Sequence, residues 1–153
     1  MTGAAEQRMV AGLGTHVLDL DVRADRGEIS VARHAVVGHL ADLGVPSMVI
    51  DDLELVTSEL VTNAIVHPRP NVRPNVVHVH LDVSDEIAMS VTNVGSAAAI
   101  PPVEAWQPAS PGAMSGRGLG IVRRLCDEVA VEQRGDLAVV SCWRHLPDGG
   151  AMR

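Results

Sequence analysis

Lysine, phenylalanine and tyrosine are missing from this chain of 153 residues, and all twelve of its basic residues are arginines. Without lysine, a Walker-type phosphate loop (G-x-x-x-x-G-K-S/T) is excluded, so any nucleotide must be held by other groups. Without Phe or Tyr, and with only Trp106 and Trp143 as large aromatic side chains, the core has to be aliphatic. Cysteine is scarce too. Cys126 and Cys142 show no metal-ligand spacing and fall in segments with helix and strand patterns, which marks them as reduced core thiols. No apolar run approaches the length that crosses a bilayer, and the N-terminal MTGAAEQRMV lacks the basic-then-apolar order of a secretion signal. A cytoplasmic protein without membrane association is expected. Positive charge is also short: a net charge of -7 argues against DNA or RNA binding, which draws its affinity from clustered Lys and Arg.

What is present suits one globular domain, with 46% apolar and 20% charged residues and no linker. The domain is expected over 15–147, between a flexible N-terminus (1–14) and a flexible tail (148–153). His16 to Val22 alternates like a strand. From Asp25, apolar residues recur at helical spacing through Leu40, with Asp25 and Glu28 placed like a capping pair and Gly44-Val45-Pro46 as the stop. A second helix opens at Ser47 or Asp51 and runs to about His67. Val76–Val83 and Ile87–Thr92 read as a hairpin about Ser84-Asp85-Glu86. A Gly-, Ala-, Ser- and Pro-rich loop covers 94–117, long enough to be functional or mobile. Gly118–Val129 reads as a third helix and Leu137–Leu146 as a final strand. This order predicts an α+β, two-layer α/β sandwich: a mixed, mostly antiparallel sheet covered on one face by three helices.

Three stretches carry chemistry. In SELVTNAIVH, Glu59 and Asn63 lie one turn apart at the edge of the face made by Leu53, Val56, Leu60 and Ala64. A partly desolvated carboxylate beside an amide oxygen suits a general base next to a ligand for a hard cation, although such a pair also occurs as plain solvated surface. His67, one further turn along, fits a helix C-terminal residue facing the dipole. In SGRGLGIV, Gly116, Gly118 and Gly120 sit where a loop becomes a helix, offering backbone N–H groups and a positive dipole end to a phosphate chain. In SVTNVGS, Asn93 ends a strand, where its oxygen can accept from an adenine amino group, and Gly95 leaves room for the base; a simple turn is the alternative. His78 and His80 share one face of a strand, but no Cys, Asp or third His stands at ligand spacing with them, so a metal-binding protein is not favoured.

These pieces, in this order, resemble the GHKL or Bergerat-fold ATPases, the group of histidine-kinase ATP domains, gyrase-type ATPases and Hsp90. ELVTNAIVH looks like the N box, NVG like the G1 box and GRGLGIV like the G2 box, with the ATP lid at about 94–117. The short single domain and the SELVTNA form look most like the RsbW-like anti-sigma factor serine/threonine kinases, common in actinobacteria, which the arginine-only basic set also fits. The resemblance implies ATP and Mg²⁺ as cofactors. It assigns Glu59 to activating a protein serine hydroxyl and Asn63 to the metal and nucleotide. It places His67, Asn93, Gly95, Gly116, Arg117, Gly118, Leu119, Gly120 and Ser141 around the nucleotide, with Ser141 near the base. It further implies a sigma factor or similar client and an anti-anti-sigma antagonist as protein partners, and a possible homodimer through the aliphatic first helix.

One departure stands out. The family's G1 box usually carries Asp and two spaced glycines, whereas here Asn93, Gly95 and Ala97 stand. Losing the charge-assisted bond to adenine costs on the order of 1 kcal/mol, several-fold in affinity. Two readings therefore follow: an ATP-dependent switch kinase, or a protein-binding module on the same fold with weakened or lost nucleotide binding.

Overall fold

The computed structural model describes residues 16–66, 76–107 and 117–147. The ends expected to be flexible, 1–14 and 148–153, lie outside them. Strand β1 (Val17–Arg23) sends Leu18, Leu20 and Val22 inward and Asp19, Asp21 and Arg23 outward. Asp25 then caps a single 3-10 turn at Arg26–Glu28 by accepting from the Gly27 N–H at 2.9 Å. Of the capping pair anticipated at Asp25 and Glu28, Asp25 alone caps through its side chain, at this turn; helix α1 (Ile29–Asp42) starts behind it, with Glu28 at its N-cap making no side-chain cap bond.

The end of α1 is built by its stop signal. Gly44 takes a positive φ of 76°, which places its N–H on the Ala41 carbonyl at 3.0 Å and the Val45 N–H on Leu40 at 3.1 Å. This crossed pair satisfies carbonyls that a helix end otherwise leaves bare, while buried Val45 and Leu40 close the turn from below. Pro46 cannot continue α1; its carbonyl instead accepts from Val49 and Ile50, opening helix α2 (Ser47–Val66) at once. Four residues, Leu43 to Pro46, thus join the two helices.

Strands β2 (Val76–Val83) and β3 (Glu86–Val94) alternate strictly between buried and half-buried positions, as their sequences alternate. Val83 pairs with Ile87, and Ser84 and Asp85 make the turn before Glu86 opens β3 opposite His145. Helix α3 (Arg117–Leu125) is shorter than expected. Of the residues assigned from sequence to its end, Glu128 and Val129 belong instead to β4 (Glu128–Arg134), which hairpins onto β5 (Leu137–His145). The last helical bond is Cys126 N–H to Val122, and the next residue, Asp127, already donates to the Trp143 carbonyl at 2.8 Å. Gly135, with φ of 61°, supplies the first position of the two-residue turn between Arg134 and Leu137.

The five strands lie in the order β1-β2-β3-β5-β4. Every pairing is antiparallel, so among the described residues the parallel component implied by a mixed sheet is not found. Helices α1, α2 and α3 cover one face, where Leu40, Leu53, Val56, Leu60, Val79, Leu81, Ile87, Met89 and Val122 are fully buried. The core is aliphatic as the composition requires, with Trp106 the one large aromatic in it. Arg144, at the end of β5, ties the layers: its Nη1 donates to Asp52 of α2 at 2.6 Å and to the Leu125 carbonyl ending α3 at 2.8 Å. No helix among the described residues is long and apolar enough to cross a membrane.

Cys126 and Cys142 are both free and buried. A hydrogen bond with the Cys126 thiol, together with burial, pushes the Cys142 thiol well above its ordinary range. Above that ordinary range the unfolded chain releases a proton that the folded chain keeps, so the contribution of Cys142 to stability is complete below it and lost as pH rises through the folded value. Both thiols should be silent to a thiol reagent at mildly alkaline pH in the native protein and titrate fully in denaturant; rapid native-state labelling would contradict this packing.

Candidate functional site

Glu59 and Asn63 sit one turn apart on α2, both half-buried, beside fully buried Leu60 and Ala64. Two anchors fix how α2 runs over the sheet. Asp52 meets Arg144, which pairs with Ile87, and further along Thr57 Oγ1 lies 3.8 Å from the Met89 sulfur while also donating to the Leu53 carbonyl at 2.7 Å. The step from Asp52 to Thr57 therefore follows the step from Ile87 to Met89, and α2 and β3 run in the same sense. Asn63, about 9 Å beyond Thr57, and Asn93, about 13 Å beyond Met89, lie toward the same end of the two layers.

At that end α3 begins, and its first turn rests on Glu59. A Cβ built on Gly118 would overlap the Glu59 Oε1 and stand 3.0 Å from its Cδ and 3.4 Å from its Cβ. A side chain at 118 and the carboxylate cannot occupy their present places together. The glycine lets the N-terminal turn of α3, with its partial positive charge, come against an anionic group on α2. The sequence motif reads as a glycine for phosphate approach, and the structure adds a nearer reason for it.

Asn93 is 9% exposed on the helix-facing side of β3, between Val77 and Ala138. Its Nδ2 donates to the Val94 carbonyl at 3.3 Å, leaving Oδ1 as the group that can accept from an amino group. Gly95 is buried with both backbone groups in use: its N–H donates to Asp136 and its carbonyl accepts from Gln133, each at 3.0 Å. Leu119 is 4% exposed within the core, so only its backbone is available to a ligand. Arg117 and Gly120 lie in the same first turns of α3. His67 and Gly116 lie outside the described residues, as does the side chain of Arg117.

Ser141 is set apart from this group. It pairs with Ser90 and Ala130, while the adjacent Cys142 and Val140 point into the core; strict alternation puts Ser141 on the opposite, outer face of the sheet from Asn93. A base held against Asn93 on the helix side therefore does not meet the Ser141 hydroxyl.

The loop expected to be a lid over 94–117 is anchored in its described half. Two 3-10 turns, Ala97–Ala99 and Val103–Ala105, lead to Trp106, which is buried and donates its Nε1–H to the Pro101 carbonyl at 2.8 Å. Arg123 of α3 donates to the carbonyls of Val103, Glu104 and Trp106. Gln133 of β4 accepts from the Ala97 N–H at 2.6 Å while donating to Gly95. None of Trp106, Arg123 or Gln133 stands out by motif; the lone Trp in a Pro-, Ala- and Ser-rich stretch is the one signal the sequence offers.

The register also corrects the expectation that no Asp stands with His78 and His80. Asp19 of β1 is the cross-strand partner of His80, and its carboxylate lies within reach of both imidazoles.

An antiparallel sheet backed on one face by three helices, with a Gly-rich helix start against a Glu of the neighbouring helix, defines a two-layer fold of the GHKL class. The chain belongs to the histidine kinase-like ATPase domain family, whose profile matches residues 22–142. No curated protein matches the sequence. Among solved structures, the RsbU and RsbW domains of Rv1364c from Mycobacterium tuberculosis superpose with a TM-score of 0.64 at 17% identity, over 89% of this chain and 35% of that one. This chain thus spans about a third of that protein's length. The SiaB-SiaC complex from Pseudomonas aeruginosa gives a TM-score of 0.61 at 16% identity over 92% of this chain and 94% of the other. The histidine kinase domain of the blue-light activated kinase EL346 from Erythrobacter litoralis gives 0.53 at 16% identity, over 82% and 62%. At these identities the likeness is one of fold.

Removing the anchor of the loop should release it. Trp106→Ala is expected to cost about 3–5 kcal/mol if the segment unfolds with the core, and to open new cleavage sites between 96 and 107 in limited proteolysis. An unchanged denaturation midpoint and digestion pattern would show that the loop is held otherwise.

Proposed function

We propose that this chain binds MgATP where α2, α3 and the end of β3 meet, and acts as an anti-sigma-type serine/threonine kinase in the cytoplasm. On this reading it holds a sigma factor or similar client and phosphorylates a small anti-anti-sigma antagonist protein. The observation that carries the proposal is the contact of Glu59 with the first turn of α3 across Gly118, because a carboxylate there suits a general base beside a phosphate chain held on the helix N-terminus. Membership of the ATPase family supports nucleotide binding. The fold likeness to an RsbW domain and to SiaB supports the choice of this branch.

The residues suit their parts. The backbone N–H groups of the α3 start, with Gly118 and Gly120 bare, would receive phosphate oxygens. Asn63 would offer its amide oxygen to Mg²⁺, and the cation would offset the charge that the phosphates and the Glu59 carboxylate bring to one place. Glu59 would accept the proton of the attacking serine or threonine hydroxyl. Asn93 would accept from the adenine amino group through Oδ1.

A second reading rests on Asn93 itself, a neutral amide where the family usually has Asp: a non-catalytic partner-binding module that has lost tight nucleotide binding. Calorimetry with MgATP and MgADP separates the two, and no heat at millimolar nucleotide would sink the kinase reading. With binding established, Glu59→Ala should abolish phosphate transfer and leave nucleotide affinity nearly intact; equal transfer by the variant would defeat the general-base role. Asn93→Asp should tighten nucleotide binding several-fold, by about 1 kcal/mol, and unchanged affinity would show that the base is held elsewhere.

A further inference from the structure

The outer face of the sheet, away from the helices, carries a second constellation. β2 presents His78 and His80 two residues apart, hence on one face, and β1 pairs with it in antiparallel register so that Asp19 stands opposite His80 and Asp21 opposite His78. The His80 Nδ1 lies 2.7 Å from Asp19 Oδ1 and the His78 Nε2 lies 3.1 Å from the same oxygen. The ligand atoms of Asp19, His78 and His80 all fall within 4.8 Å of one another. Donors around a tetrahedral zinc, bonded at about 2.0–2.1 Å, stand roughly 3.3 Å apart, so two of these separations already approach the required ones.

The remaining atom of the cluster decides how His78 is oriented. Its Nδ1 lies 2.6 Å from Asp21 Oδ1, a hydrogen bond that places a proton on Nδ1. By the same reasoning the His80 Nδ1 carries a proton toward Asp19 Oδ1 in the ion-free cluster, which an entering cation would displace, while the His78 Nε2 faces that oxygen either with a second proton or with a lone pair that needs a cation between them. A carboxylate behind a ligating imidazole is the arrangement that fixes tautomer and ring direction in metal sites. Two carboxylates converge on two imidazoles here, with Asp82 on the same face and Arg23 two pairs beyond Asp21. His80 and Asp19 are 20% and 35% exposed, so an ion can enter from solvent and water can complete its shell.

We propose that Asp19, His78 and His80 bind a divalent transition-metal ion, Zn²⁺ or one of similar ligand preference, with Asp21 as the positioning carboxylate of His78. Two imidazole nitrogens and one carboxylate oxygen suit such an ion and disfavour Mg²⁺ and Ca²⁺, which take oxygen donors. The site lies on the opposite face of the sheet from Asn93 and Glu59 and does not depend on nucleotide binding. It would clip the edge strand β1 to β2 and so stabilise the fold when filled.

The test uses the full chain without a histidine tag, stripped with chelator, and titrated with ZnCl₂ by calorimetry near neutral pH. One Zn²⁺ per chain with Kd below about 100 μM is expected, with a rise in melting temperature that Mg²⁺ does not produce. Co²⁺ should give a visible absorption band from its nitrogen and oxygen shell. His80→Ala and His78→Ala should each weaken binding at least 10-fold and erase the Co²⁺ band. Asp21→Asn should weaken it about 10-fold. All three variants should keep the metal-free melting temperature, which shows that they fold. Absence of Zn²⁺ binding in the parent chain, including the case where the cluster responds only to pH, would overturn the proposal. So would Zn²⁺ binding that survives the double His78→Ala, His80→Ala change.

Discussion

The candidate site depends on a steric bargain between two helices: the first turn of α3 can lie against α2 at Glu59 because residue 118 has no side chain. The contact brings the positive end of a helix to a carboxylate that is itself half-buried at the edge of the core. Contacts along the length of the two layers hold those helices in place. Arg144 joins the start of α2 to the end of α3, and Arg123 binds α3 to the carbonyls of the preceding loop. Thr57 meets Met89 and seats α2 on the central strand.

The same contact defines the electrostatic problem that any nucleotide brings. On the proposed reading, phosphate oxygens drawn to the amides of α3 would arrive next to the Glu59 carboxylate, and like charges so close would repel strongly in a partly desolvated site. A divalent cation removes the conflict, and Asn63, one turn beyond Glu59, carries a neutral oxygen donor suited to it. Asn93, at the strand end, likewise offers a neutral oxygen.

Much of the fold is legible in the sequence because its signals are local. VVHVHLDV alternates, Gly44-Val45-Pro46 ends one helix and starts the next, and aliphatic residues at helical spacing mark α1 and α2. β4 is not recovered because its apolar Val129 and Val131 follow α3 after a two-residue break, too short a break to separate a helical period from an alternating one, although Gly135-Asp136 marks its turn. The motifs of the candidate site are local as well, so Glu59, Asn63, Asn93 and Gly118 can be nominated from sequence, and the fold brings Glu59 against Gly118. Cross-strand relations are not: the outer placement of Ser141 and the meeting of Asp19 with His78 and His80 both follow from register, which no single segment encodes. The anchoring of the loop by Trp106, Arg123 and Gln133 is hidden for the same reason.

The sheet thus separates two chemistries, a helix-side pocket end built on glycine and carboxylate, and an outer imidazole and carboxylate cluster. The first is the central claim, and the Gly118→Ala variant tests it most directly by calorimetric titration with MgATP beside the parent chain. Because the overlapping atom ends a flexible side chain, the added methyl should displace the Glu59 carboxylate rather than unfold the domain. The methyl itself, unlike loss of the Glu59 carboxylate, would keep phosphate oxygens from the first amides of α3, so a folded variant is expected whose MgATP affinity falls about 10-fold or more, some 1.4 kcal/mol. A variant that binds MgATP as tightly as the parent would contradict it, as would a parent chain that binds none.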